Sequence, residues 1–168
     1  MLMKEEFNST QREKLQYVHD AGTALLRLIN NVLDFSKLAA GELSIARASF
    51  DLDELVADLL ETTRPLAENK GLLIQSHVQD NVPRSLVGDQ VRVRQILANL
   101  IDNAVKFTEQ GTIYLRITVD ERSRDSVLLR MVVTDTGVGI PPERQAVIFD
   151  SFAQADGSST RHHGGLGL

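Results

Sequence analysis

The chain has 168 residues, 42% of them apolar and 24% charged, and its 18 basic and 23 acidic side chains leave a formal charge of -5. These proportions are ordinary for a globular protein with room for one compact domain or a domain plus a helical appendage, and the acidic balance excludes a global basic field for nucleic acid. With no cysteine, disulfides, thiolate catalysis and cysteine-ligated zinc are excluded within the chain, a composition that suits the cytoplasm. There is no apolar run of the roughly 18 residues a membrane helix needs. The polar N-terminus, with Lys4, Glu5 and Glu6, lacks the apolar centre of a signal peptide. No direct membrane contact by this segment is therefore expected.

Leu15, Val18, Gly22, Leu25, Ile29 and Val32 recur in steps of three and four. This heptad-like seam predicts one long helix over Gln11 to Ala40, stopped by Gly41. Leu26, Leu28, Leu33 and Leu38 widen its apolar surface, so the helix suits a bundle, although an ordinary core helix would show a similar stripe. Leu43 to Ala48 is a short strand candidate. Asp51 with Glu54 three residues later is a capping-box pattern, opening a helix with Leu55, Val56, Leu59, Leu60, Thr63 and Leu66 as its buried stripe and Pro65 as a kink.

Leu72 to Val78 reads as a strand, followed by a turn-rich loop with Pro83 and Gly88. Asp89 opens another helix whose inward face is expected at Val91, Ile96, Leu97, Leu100, Ile101 and Ala104. Gly111 to Val119 and Val127 to Thr134 form a hairpin through Asp120 to Ser126. A short helix follows Pro141 and Pro142. Ala155 to Ser159 is small and polar, the composition of a mobile loop, and leads to Gly164-Gly165-Leu166-Gly167-Leu168.

Two segments carry chemistry. In Asn99-Leu-Ile-Asp-Asn103-Ala-Val-Lys106-Phe107, Asn99 and Asn103 are one helical turn apart and share a face, with Lys106 near it. An amide oxygen is a neutral ligand for Mg2+, which fills most of its octahedron with water and phosphate oxygens, and a neighbouring lysine neutralises phosphate charge. Two surface asparagines and a solvated lysine would read the same way. The second segment, Asp135-Thr-Gly137-Val-Gly139-Ile140, ends an apolar strand. Its carboxylate can accept a hydrogen bond from the exocyclic amine of adenine, and its glycines allow close backbone approach and turn conformations closed to other residues. Alone it is also an ordinary strand-ending turn; in this order behind the asparagine helix it is far more specific. The final glycine run either binds phosphates through backbone N–H groups or is a flexible tail. Phe149 and Phe152 either pack a lid onto the body or belong to the core. His19, His162 and His163 have no carboxylate or cysteine spacing that suggests a metal site.

These residues resemble the motifs of sensor histidine kinases, especially the hybrid type. Asn99 to Thr108 is similar to the N box, 135–140 to the G1 box, Phe149-Asp150-Ser151-Phe152 to the F box, and Thr160-Arg161 with the closing glycines to the lid and G2 box. Leu33 to Leu38 with Ala40-Gly41 resembles the end of the second dimerisation helix. The resemblance implies a Bergerat-type α/β fold, an α+β two-layer sandwich with helices on one face of a mixed sheet, spanning 43–168 after a partial dimerisation domain at 1–42. It implies ATP between helices and lid, with Asn103 as the Mg2+ ligand, Lys106 near the phosphates and Asp135 on adenine. Asn99, Phe107, Gly137, Gly139, Ile140, Thr160, Arg161, Gly165, Gly167 and Leu168 complete the expected ATP site. It further implies a homodimer through the long helix, in a four-helix bundle, and a response-regulator receiver domain as partner.

Gyrase-like, chaperone and mismatch-repair ATPases carry a water-activating glutamate where Asn99 stands. An amide cannot act as that base, so Asn99 favours transfer to a protein over hydrolysis. The chain departs from the family in two places. It has no H box, since His19-Asp20-Ala21-Gly22 is not one, so the phosphoacceptor histidine and the first bundle helix are expected outside it and autophosphorylation by this chain alone is not expected. The closing run is two residues short of the family's G-G-T-G-L-G-L. Two other readings follow from these departures and relatives: a non-catalytic dimerisation or regulatory module with an impaired nucleotide site, and an ATPase of the gyrase or chaperone class.

Overall fold

The computed structural model describes residues 8–148, leaving aside the side chains at positions 9, 13, 20, 24, 27, 28, 31 and 35. The described residues up to Ser44 cluster as one unit and those from Ile45 as another.

Among the described residues the first unit is a single helix, α1 (Ser9–Ala39), capped by Asn8. The Asn8 side chain accepts the Gln11 N–H at 2.8 Å, and the Gln11 side chain accepts the Asn8 N–H at 3.0 Å. This reciprocal capping box starts the helix two residues before the expected Gln11. Gly41, at φ 69, turns the chain out of the helix where a stop was expected. Along the seam, exposure runs from 47% at Ile29 to 70% at Val18. No helix among the described residues is long and apolar enough to cross a membrane.

The second unit opens with β1 (Ala48–Asp51), which lies beyond the expected strand at Leu43 to Ala48. Its partner is β3 (Ser85–Gly88), paired antiparallel so that Phe50 faces Leu86. A loop was expected at β3. Phe50 and Val82 are buried there, and this tertiary burial makes a strand of residues whose local sequence reads as a turn.

Helix α2 (Leu52–Asn69) begins where the Asp51 carboxylate accepts the N–H groups of Asp53 and Glu54, at 2.8 and 3.0 Å. It buries Leu52, Leu55, Val56, Leu59, Leu60, Thr63 and Ala67, whereas Leu66 is exposed. Leu66 was expected inside; Ala67 takes that place, because a step of four from Thr63 keeps to the buried stripe. The helix runs on past Pro65 to Asn69.

Among the described residues three strands form the main sheet, in the order β2 (Leu73–Val78), β4 (Thr112–Arg122), β5 (Val127–Asp135). The β2–β4 pair is parallel and the β4–β5 pair antiparallel. The hairpin strands extend into the expected loop, leaving a turn in which the Ser123 N–H reaches the Ser126 carbonyl at 2.9 Å. A register shift between Val119 and Glu121 bulges Asp120 out, and Arg130 meets its carboxylate at 2.7 Å.

One face of this sheet carries Ile74, Ile113, Leu115 and Ile117, all buried, with Leu129, Met131 and Val133 packed beside them. Helices α2 and α3 (Gln90–Phe107) close that face and form one core with it. The opposite face shows Arg116, Leu128, Arg130 and Val132 to solvent. The unit is thus a two-layer sandwich, as expected. A four-residue helix, α4 (Pro142–Gln145), follows the sheet.

Candidate functional site

The site is built where the C-terminal end of α3 meets the C-terminal end of β5. Asp89 caps α3 by accepting the Arg92 N–H at 3.0 Å, and its other oxygen accepts the Ala46 N–H at 3.0 Å. These two backbone donors, Ala46 first, hold the Asp89 carboxyl below its ordinary value. The helix then packs through Leu97, Ile101, Ala104 and Val105. Val91, Ile96 and Leu100 were expected inward but are exposed, at 71%, 61% and 40%. The buried stripe runs one step round the helix from them.

That rotation presents the amides. Asn99 and Asn103 are both exposed on the outer side of α3, as their one-turn spacing predicts. Lys106 is half-buried, with its ammonium 4.8 Å from the centre of the Phe107 ring. This cation–π contact holds the charge near the end of the amide face.

Asp135 is the last residue of β5, paired with Ile113 of β4. Its carboxylate is exposed, and one oxygen accepts the Gly137 N–H at 2.9 Å. A carboxylate has further acceptor sites for an outside donor such as an amine. Gly137 lies directly on the end of α3: a Cβ there would sit 2.5 Å from the Phe107 carbonyl oxygen. Only glycine permits that approach. Gly139, at φ 70, completes the turn with room around it, and Ile140 is 46% exposed. The structure therefore brings the glycine turn against the asparagine helix at Gly137 and Phe107.

Two groups that the sequence reading left without a role hold this junction. The Thr136 hydroxyl donates to the Gln110 carbonyl at 3.0 Å and accepts the Thr112 N–H at 3.1 Å, tying the turn to the loop after α3. Gly111, at φ 114, is required there, since a Cβ would lie 2.1 Å from that hydroxyl oxygen. The Lys70 ammonium donates to the carbonyls of Val105 and Lys106 at 2.8 and 3.1 Å. Thr136 stands inside the acid–glycine segment, where the sequence could point to it; Lys70 carries no local signal. Thr160, Arg161, Gly165, Gly167 and Leu168, with Phe149 and Phe152, lie outside the described residues.

Comparison with known proteins agrees with these motifs. Residues 88–168 match the family described as histidine kinase-, DNA gyrase B-, and HSP90-like ATPase. The whole chain is similar to the sensor histidine kinase GacS of Pseudomonas protegens, at 42% identity over 168 residues that make up 18% of that protein. It is similar over the same span to the signal transduction histidine-protein kinase BarA of Escherichia coli, at 38% identity and again 18% of the relative's length. The chain thus spans about a fifth of the curated relatives it matches. Among solved structures, full-length ShkA in complex with AMPPNP matches with a TM-score of 0.73 and 35% identity, over 93% of this chain and 33% of that one. The chain is therefore similar over its whole length to a segment of sensor histidine kinases, and its two-layer unit has the Bergerat fold of their ATPase domain.

Proposed function

We propose that this chain is the ATP-binding core of a two-component sensor histidine kinase, holding Mg-ATP for phosphoryl transfer to a histidine. The observation that carries the reading is the junction itself. An exposed carboxylate, Asp135, stands on a turn packed through Gly137 against the helix that exposes Asn99 and Asn103. Residues 1–42 would belong to a partial dimerisation domain and 43–168 to the catalytic domain, in a cytoplasmic part of the parent protein.

The donors fit the proposed ligands. Among the described residues no group of three His, Asp or Glu side chains could hold a metal ion. A neutral amide such as Asn103 suits a Mg2+ that brings phosphate and water oxygens as its other ligands. The bound cation would supply charge neutralisation on the phosphates. Asp135 accepts the exocyclic amine of adenine, and Lys106 adds a positive charge at the phosphate end. Asn99 orders the polar face without acting as a base, because an amide has no proton-accepting role near neutral pH. Transfer of this kind depends on positioning and charge neutralisation, with little covalent work for the protein. A homodimer through α1 and a receiver-domain aspartate as the next acceptor complete the proposed relay.

Equilibrium titration tests the reading. Saturable binding of ATP that is lost on adding EDTA, with slow release of ADP, is expected. Absence of saturable binding would instead favour a regulatory module with an impaired site. Rapid ATP turnover without a protein acceptor would favour an ATPase.

A further inference from the structure

The Lys70 ammonium spans from the end of one helix to the end of another. Helix α2 ends in a tight turn: the N–H groups of Lys70 and Leu72 both reach the Ala67 carbonyl, at 3.0 and 2.9 Å, and Gly71 takes φ 71. This left-handed closure, open to glycine at little cost, fixes the backbone from which Lys70 extends. Its ammonium then donates to Val105 and Lys106 at 2.8 and 3.1 Å. Both carbonyls belong to the last turn of α3, where no intrahelical N–H remains to pair them. A cation placed there also opposes the negative end of the helix dipole.

The next carbonyl along, that of Phe107, is the one against which Gly137 rests, at the 2.5 Å that excludes any Cβ. Gly137 in turn donates to Asp135. The order of contact is Lys70, the last turn of α3, the Phe107 carbonyl, Gly137 and the Asp135 carboxylate. We propose that Lys70 is a positioning residue for the nucleotide site: its ammonium clamps the last turn of α3 and thereby sets the place of the adenine-binding acid, 65 positions away in sequence. The proposal rests on the ATP-binding reading above. It assigns Lys70 no contact with nucleotide.

Two variants test it. Lys70→Met keeps the length of the stem and removes both charge and donors; Lys70→Arg keeps both. Lys70→Met is expected to weaken Mg-ATP binding about three- to ten-fold, the range of one ordinary hydrogen bond, because Lys70 acts on the nucleotide only through the helix end, and Lys70→Arg to restore most of the loss. Amide hydrogen exchange of the nucleotide-free protein is read in parallel. Exchange should quicken in Lys70→Met at positions 105–110 and 136–139 and stay unchanged in β2 and in the middle of α2. Wild-type affinity with unaltered exchange would overturn the proposal, and so would a uniform rise of exchange over the whole unit, which marks general destabilisation. If the wild-type chain binds no nucleotide, the ATP-binding reading fails, while the exchange pattern still decides whether Lys70 clamps the junction.

Discussion

The site depends on a few side chains whose chemistry and placement can be separated. Asp135 plays two parts, accepting the Gly137 N–H with one oxygen and remaining exposed for a ligand. Asp135→Asn keeps an oxygen for the turn and removes the charge that a base amine would meet. We expect ATP affinity to fall about ten-fold or more with the melting temperature shifted by roughly 1 °C or less, because a lost ionic acceptor is worth about 1.5–3 kcal/mol. Calorimetric titration and thermal denaturation of the same preparation check both halves. Thr108 is a contrasting residue: it is fully buried at the end of α3, and its hydroxyl oxygen has no hydrogen-bond partner among the described residues. Thr108→Val keeps the shape and removes the buried polar atom, so it should raise stability by about 1 kcal/mol, read as a higher urea midpoint at constant slope. At this scale the polar residues were legible because the chemistry needs those types at those spacings. Lys70 was not, since it acts through backbone atoms that folding alone brings near; Thr136 stands inside a legible segment, but its bonds to Gln110 and Thr112 form only on folding.

At the scale of elements, the sequence pattern placed the helices and the hairpin but misjudged faces and the two strands β1 and β3. Val91, Ile96 and Leu100 satisfy a helical stripe on paper, yet α3 turns Leu97, Ile101, Ala104 and Val105 inward. Two overlapping apolar stripes fit one helix, and only the sheet beneath selects between them. Strand β3 escaped notice because Pro83 and Gly88 bracket it with turn chemistry, while its order comes from pairing with β1. That pairing also places Ala46 beside the cap of α3, which gives a pH prediction. The Asp89 carboxyl is held below its ordinary value by the N–H groups of Ala46 and Arg92. A depressed carboxyl contributes stability that is fully present above the ordinary value of 3.8 and is lost as the pH falls through the folded value. Asp89→Asn should therefore be less stable than wild type at neutral pH, with the gap closing below about pH 4. Denaturant titrations across the acid range would show it; a gap that persists unchanged to pH 2 would contradict it.

For the whole molecule, the two units raise separate questions. A 31-residue helix whose Leu15, Val18, Leu25, Ile29 and Val32 all stand exposed has a large apolar seam without cover among the described residues. Its period of three and four matches a helical partner, and we expect a homodimer. Val18→Glu with Ile29→Glu should leave a monomer by sedimentation, and a monomeric wild-type chain would remove the basis for that expectation. The two-layer unit was readable as a class from its alternation of helix and strand patterns. The meeting of Phe107 with Gly137 was not, because it joins distant segments through a carbonyl and a missing Cβ. The central claim is that this junction holds Mg-ATP. Backbone-amide NMR of the labelled chain, titrated with Mg-ATP, tests it most directly. Shifts concentrated at Asn99, Asn103, Lys106, Phe107 and 135–140, and removed by EDTA, are predicted. Saturable shifts centred elsewhere, for example at the groove of Val56, Leu60, Ser76 and Val78 between α2 and β2, or no shifts at all, would contradict it.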